Sequence, residues 1–241
     1  KHMYSICFTD GQTGITVDNY GTFMKTVNAG QDWEELSYAS PILLFSISEY
    51  QENHLMMVGG GGLILSTPDL GESFEKHWEG FDTYFQDLFH PDEHTIYAAG
   101  SGLLAKSFDG GQTWTYDSVN ELDLFVSSHF LTKDIGFVLS YNGKYKTLDG
   151  GETWIEMNAP KSTWLTGIYM KNELEGYITG GGASPGGATW ATCLKTIDGM
   201  NWEEVNVPAG RALNGVYYIN DELGFMYGVS GLLLKTTDDG E

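Results

Sequence analysis

An internal repeat constrains this chain more than any other feature: an acidic turn ending in an aromatic residue returns at nearly fixed intervals. Its clearest copies read Ser107-Phe108-Asp109-Gly110-Gly111-Gln112-Thr113-Trp114 and Thr147-Leu148-Asp149-Gly150-Gly151-Glu152-Thr153-Trp154. The first copy, Thr26-Val27-Asn28-Ala29-Gly30-Gln31-Asp32-Trp33, has Asn for Asp. The second, Thr67-Pro68-Asp69-Leu70-Gly71-Glu72-Ser73-Phe74, has Phe for Trp. The fifth, Thr196-Ile197-Asp198-Gly199-Met200-Asn201-Trp202, is one residue short, and the sixth begins Thr236-Thr237-Asp238-Asp239-Gly240-Glu241. The Asp or Asn positions, 28, 69, 109, 149, 198 and 238, lie 41, 40, 40, 49 and 40 residues apart. Periods of 20–50 residues belong to solenoids, propellers and arrays.

The residues between the turns decide among these. In the last copy an apolar stretch (Leu213 to Ile219) meets an acidic turn (Asn220-Asp221-Glu222). A second strand (Gly224 to Tyr227), a glycine turn (Gly228 to Gly231) and a third strand (Leu232 to Thr236) follow. In complete copies the aromatic opens a fourth strand, as in Trp154-Ile155-Glu156-Met157. Short β-branched and aromatic runs bounded by Gly and Asp are hairpin signatures, and four strands per copy without helical periodicity make a propeller blade. The sequence therefore predicts an all-β propeller of six four-stranded antiparallel blades, the last incomplete. It reads as a single domain over 1–241, with repeats at roughly 3–40, 41–80, 81–120, 121–160, 161–208 and 209–241. The turn acids have a mechanical role: Asp binds backbone N–H groups of its own turn, Gly supplies positive φ, and the aromatic packs between blades. None of these acids is expected to be catalytic.

These motifs resemble the Asp-box, or bacterial-neuraminidase, repeat over essentially the whole chain. A glycine turn leading into Leu-Leu-x-Lys-Thr is similar to propellers related to the photosystem II stability and assembly factor. Gly102-Leu103-Leu104-Ala105-Lys106-Ser107 and Gly231-Leu232-Leu233-Leu234-Lys235-Thr236 carry that likeness best. The resemblance implies Asp turns on the rim, away from a ligand-facing mouth, and a location outside the cytoplasm, periplasmic or secreted. It leaves function open, because Asp boxes occur in sialidases, xyloglucan hydrolases, sorting receptors and assembly factors. Sialidases hold their substrate carboxylate with three arginines, and this chain has one, Arg211, which argues against that chemistry. The photosystem factors usually have seven blades and a basic patch, neither of which this sequence supplies.

Charge narrows the partners. With 33 Asp and Glu against 12 Lys and Arg, the formal charge is -21, so phosphate backbones and anionic lipid surfaces are repelled. Neither nucleic-acid binding nor membrane insertion is expected, and no apolar run reaches the roughly 18 residues of a span. Cys7 and Cys193 read as two buried small apolar residues rather than a disulfide. His90-Pro91-Asp92-Glu93-His94 looks like a metal site, but Pro91 opposes the helix that would align its histidines, and the segment occupies the acidic first turn of its repeat. No cofactor or metal is expected. The glycine runs 59–62 and 180–187 read as turns between second and third strands; the latter, a longer turn, accounts for the 49-residue spacing. In propellers such a turn lengthens a wall of the mouth.

Trp164, Trp190, Arg211, Tyr20, Tyr141 and Trp78 are the candidate binding residues, because each falls in or near a mouth segment and Trp, Tyr and Arg are the usual interface anchors. The expected function is a non-enzymatic platform that binds a protein or peptide partner at the mouth. The alternative is a carbohydrate-active protein that stacks a neutral polysaccharide on Trp164, Trp190 or Trp78, with Asp82, Glu121 and Asp123 as candidate glycosidase acids. A structural repeat within a larger secreted protein is a third reading.

Overall fold

The computed structural model describes residues 3–18, 20–39, 42–78, 83–119, 125–141, 143–161 and 164–239, without the side chains of 37–39 and 78. It is a six-bladed β-propeller with antiparallel sheets of four strands, the sixth having three. The chain divides into two compact halves, Lys1–Leu122 and Asp123–Glu241, and each half carries three sheets.

In the first half, sheet one comprises β1 (Met3–Phe8), β2 (Gly14–Asp18), β3 (Thr22–Thr26) and β4 (Glu34–Ala39). Sheet two comprises β5 (Leu44–Gln51), β6 (His54–Gly59), β7 (Ile64–Thr67) and β8 (Glu75–Trp78), and sheet three β9 (Phe85–Phe89), β10 (Ile96–Gly100), β11 (Leu103–Ser107) and β12 (Thr115–Ser118). In the second half, sheet four comprises β13 (Phe125–Phe130), β14 (Gly136–Ser140), β15 (Lys144–Thr147) and β16 (Ile155–Glu156). Sheet five comprises β17 (Leu165–Met170), β18 (Gly176–Ala183), β19 (Thr189–Thr196) and β20 (Trp202–Glu204), and sheet six β21 (Leu213–Tyr218), β22 (Gly224–Gly228) and β23 (Leu232–Thr236).

The second strands are apolar on both faces because each serves two cores. Side chains alternate across a strand. In β6, Leu55 and Met57 join Ile15, Val17 and Phe23 of sheet one, while Met56 and Val58 join Phe85, Ile96 and Ala98 of sheet three. In β18, Ile178 packs toward Phe137 and Leu139 of sheet four, and Tyr177 toward Leu213 and Val216 of sheet six. The turn aromatics face the preceding sheet: the Phe74 ring lies 4.8 Å from Phe23, and the Trp202 indole N–H is 3.3 Å from the Met157 sulfur. Cys7 and Cys193 are free thiols, and Cys193 is buried against sheet six.

All six first-to-second strand pairs share a β-bulge, with two residues of the first strand against one of the second just after the first pair. The carbonyl preceding the first strand comes onto the residue of the second strand that pairs with the first strand's opening residue in four of these sheets. A Cβ at Gly59, Gly100, Gly180 or Gly228 would collide with the carbonyl of Leu43, Tyr84, Trp164 or Ala212. Glycine there is a requirement of close approach.

The Asp turns are closed hydrogen-bond cycles. The Thr147 hydroxyl donates to the Asp149 carboxylate (2.8 Å) and accepts the Gly151 N–H (2.8 Å), while Asp149 accepts the Thr153 N–H (2.9 Å) and hydroxyl (2.6 Å). Asp109 repeats this with Ser107, Gly111 and Thr113. The short fifth turn closes one residue sooner, with the Gly199 N–H donating to Thr196. Hydrogen bonds from the Thr153 hydroxyl and backbone outweigh burial and lower Asp149 to about 2. The segment around His90 is the expected acidic turn, in which Asp92 accepts from the N–H groups of His94 and Thr95.

Replacing Thr147 with Val keeps the shape but strips the buried Gly151 N–H of its acceptor, at a cost of about 1–3 kcal/mol in urea unfolding. Burial also pushes His129, which stacks edge-on with Tyr169 at 4.9 Å, down to about 4. A histidine lowered on folding is protonated first in the unfolded chain, so stability falls as pH drops from about 6.5 toward 4. Asp109 and Asp149, lowered to about 2, add to that loss only toward the bottom of the window, as pH approaches the free carboxylate value near 4. His77 and His90, also lowered by burial, share this window, so His129→Phe, with the residue that Phe89 provides at the matching place in β9, is expected to make the acid limb of stability between pH 6.5 and 4 shallower; an unchanged slope would refute this assignment.

Candidate functional site

The 49-residue spacing turns out not to be a longer turn. Residues 180–187 extend the β18–β19 hairpin, pairing Gly181 with Ala191, Gly182 with Trp190 and Ala183 with Thr189, and a tight turn at 184–188 closes it. The sequence reading failed here because three consecutive glycines signal a turn, whereas in this hairpin they give the opposing side chain room. A Cβ at Gly182 would press into the Trp190 ring.

This ribbon gathers three of the candidate residues. Trp164 immediately precedes β17, and its carbonyl accepts the Gly181 N–H at 3.0 Å. A Cβ on Gly181 would meet the Trp190 carbonyl and the Cα atoms of Ala191 and Ala212, so the backbones of Trp164, Trp190 and the residue after Arg211 converge on one glycine. The Thr189 hydroxyl donates to the Gly210 carbonyl, tying the ribbon to the segment that carries Arg211. Trp164 is 64% exposed and Trp190 39% exposed, and the Arg211 side chain is exposed.

The Trp164 backbone sits at φ 69°, a left-handed conformation that costs a bulky residue on the order of 1–3 kcal/mol. Its carbonyl is tied to the Gly181 N–H while its indole is exposed. Indoles can stack on a planar or apolar group and a guanidinium can pair with a carboxylate, so the segments that meet at Gly181 carry the residue types of a mixed apolar and ionic contact.

The other candidates are not drawn into this cluster. Tyr141, in the β14–β15 turn of the same half, is 63% exposed. Tyr20 belongs to the first half, where its N–H is fixed by the buried Asp18 carboxylate at 2.8 Å and the residue is 67% exposed. The Trp78 side chain lies outside the described residues, as do Asp82, Glu121 and Asp123. Among the described residues no group of three His, Cys, Asp or Glu is arranged to hold a metal, and no helix is long and apolar enough to cross a membrane.

One ionic site escaped the sequence reading. Asp239 occupies the left-handed position (φ 59°) that glycine fills at 110 and 150. Its carboxylate accepts from Lys171 at 2.9 Å, Lys195 at 3.1 Å and the Tyr177 hydroxyl at 3.0 Å, joining sheet six to sheet five. The two ammonium groups lie 4.7 Å from the centre of the Tyr218 ring and 5.3 Å from that of Tyr177. Burial opposes ionisation of Asp239, but these three donors outweigh it and lower its pKa. The signal was Asp-Asp-Gly where the clean copies have Asp-Gly-Gly. Lysines of the third strands reach the next sheet elsewhere too: Lys25 pairs with Glu72, and Lys146 donates to the Glu173 carbonyl. Asp239→Ala leaves the largely buried Lys171 without its carboxylate and is expected to destabilise the second half by about 1–3 kcal/mol, less at high salt; equal loss at low and high salt in chemical denaturation would exclude an ionic role.

No family model matches the chain. Over 137 residues, 54% of its length, it is 30% identical to the photosystem II assembly protein Ycf48 of Thermosynechococcus vestitus, and the match covers 40% of that protein. The chain thus matches less than half the length of this curated relative. A structure of YCF48 bound to D1 peptide superposes with a TM-score of 0.78 at 18% identity, covering 99% of this chain and 78% of that one. An ancestral GH74 enzyme superposes with a TM-score of 0.74 at 16% identity, over 95% of this chain and 35% of the enzyme. At these identities the two structures establish a shared propeller fold.

Proposed function

We propose that this protein is a non-enzymatic assembly platform that binds an extended protein or peptide segment on the surface formed by Trp164, Trp190 and Arg211. The observation that carries the reading is Trp164: an exposed indole held in a costly backbone conformation, on a backbone crossing shared with the residue after the chain's one arginine, is a side chain presented rather than stored. The similarity to Ycf48, with a D1 peptide bound in the related structure, supports an extended peptide as the partner class. The indoles take an apolar or aromatic side chain of that peptide, and Arg211 takes a carboxylate. Tyr20, Tyr141 and Trp78 are proposed as further contacts, and the platform is assigned outside the cytoplasm. With a formal charge of -21, the protein discriminates against polyanions, and its one guanidinium in an acidic surround favours an isolated acid over an acidic run.

The second reading is a carbohydrate-active protein that stacks a neutral polysaccharide on the same indoles; the GH74-like fold favours keeping it in the test. The experiment is a pull-down from native extract comparing the wild type with a Trp164→Ala/Arg211→Ala variant, alongside xyloglucan binding and hydrolysis by both. The platform predicts a protein enriched at least tenfold by the wild type over the variant, with no hydrolysis. Xyloglucan retention lost in the same variant, with no protein enriched, would replace it with the carbohydrate reading.

A further inference from the structure

A second binding site lies between sheets two and three, where the repeat leaves out a lysine. A lysine stands directly before the Ser or Thr that opens the Asp turn at 25, 106, 146, 195 and 235, and β7 has Ser66 in its place. Three of these lysines send their ammonium groups to one corner of the following sheet. Lys25 meets the Glu72 carboxylate at 3.5 Å, Lys146 the Glu173 carbonyl at 3.4 Å and Lys195 the Asp239 carboxylate at 3.1 Å. A Cβ on Gly199 would lie 3.2 Å from the Lys146 nitrogen, so this corner adjoins the left-handed residue of the Asp turn.

Sheet three has the same corner. Gln112 stands where the second turn has Glu72, and Gly110 where the last has Asp239. Glu93 matches Glu173, because Asp92 and Asn172 each accept the N–H groups two and three residues on, and Gly110 and Gly199 each donate to the carbonyl after that glutamate. Gln112, Gly110 and Glu93 all wall one cavity of about 620 Å³, together with Ser66. Among the described residues of its wall none is a lysine or arginine. Glu75, Glu93 and Asp109 bring three carboxylates, and Tyr50 an aromatic ring, the group over which Lys146 and Lys195 lie elsewhere. Ser66 hydrogen-bonds the His77 ring at 2.7 Å, and burial lowers His77, so that ring is uncharged at neutral pH. The cavity keeps the acceptors of the corner, while the sequence supplies no lysine to them.

We propose that this cavity binds a primary ammonium group on an alkyl stem, with the ammonium at the corner formed by the Glu93 carbonyl, Gly110 and Gln112 and balanced by the carboxylate of Glu75, the residue that pairs with Ser66 across the strands. A compact charge with three donors suits carbonyl, amide and carboxylate oxygens, and a formal charge of -21 concentrates cations around the chain. The group comes from a free amine or from a lysine side chain of a partner protein. The site belongs to the first half and stands independently of the Trp164 surface.

The probe is n-butylammonium, the lysine side chain as a free ion, titrated into the isotope-labelled full chain at neutral pH and followed through the amide signals by NMR. Saturable shifts are expected at Ser66, Gly110 and Gln112, and n-butanol, which has the stem without the charge, should bind roughly tenfold more weakly. Ser66→Lys puts the repeat's own ammonium into the cavity and should abolish the shifts. Ser118→Lys, the same charge change at an exposed strand position, should leave them. Glu75→Gln, also at an exposed position, should weaken binding several-fold, and it decides the matter if circular dichroism shows that Ser66→Lys does not fold. Nα-acetyl-lysine N-methylamide separates the two sources: binding equal to that of n-butylammonium indicates a lysine of a partner protein, much weaker binding a free amine, and either supports the site. Absence of saturable shifts, equal shifts with n-butanol, or a loss on Ser118→Lys as large as on Ser66→Lys would each overturn the proposal. So would full binding by folded Ser66→Lys or, where that variant does not fold, by Glu75→Gln.

Discussion

A four-stranded antiparallel sheet has two faces, and this protein supplies both with apolar side chains. No such sheet is stable alone in water, so within each half every sheet obtains its core from the one beside it. The alternation of Leu55 and Met57 with Met56 and Val58 is the clearest expression of this: one strand, two cores, divided residue by residue. The Asp turns, the bulges and the turn aromatics all serve that face-to-face burial. The turn fixes where the third strand stops, the bulge seats the first strand, and the aromatic closes the outer gap to the preceding sheet.

Side-chain chemistry divides along the same geometry. Lys25, Lys146 and Lys195 of the third strands reach the following sheet, where Glu72, the Glu173 carbonyl and Asp239 meet them, and the ammonium groups of Lys146 and Lys195 also lie over the Phe137 and Tyr177 rings. A chain this acidic thereby spends much of its scarce positive charge between blades. Arg211, in the link ahead of β21, stands apart from that pattern, next to Ala212, whose backbone joins those of Trp164 and Trp190 at Gly181.

The fold was legible in the sequence because its determinants are local. Asp, Gly and Trp at fixed offsets report a turn whose hydrogen bonds nearly all fall within four residues, and the spacing of the turns reports the blade. The bulges were not legible, since the residue they add (Tyr4, Phe45, Gln86, Val126, Thr166 or Asn214) follows no common side-chain type. The ribbon at 180–187 was misread because glycine is the usual mark of a turn, and only the facing Trp190 reveals that it makes space in a strand. Of the candidate site, Trp164, Trp190 and Arg211 were found by residue type and position in the repeat. Their convergence rests on backbone contacts between residues 164, 181, 190 and 212, which no local pattern encodes. The ion cluster at Asp239 depended on a single departure from the repeat, visible as a letter but not as a contact.

Repeats that descend from one another carry an assembly hazard: copies with the same faces compete for the same neighbours, and a chain of look-alike sheets has many near-equivalent ways to stack wrongly. Apolar burial alone does little to discriminate among them. Asp239 does, because a carboxylate stands at this turn position in no other copy, and Lys171 with Lys195 offers it two cations and a phenol on sheet five. Glycine and aspartate codons differ by a single base, so one point change at the most permissive position of a copied turn is enough to write such a mark. The left-handed residue of the turn is thus the place where a duplicated blade acquires an address.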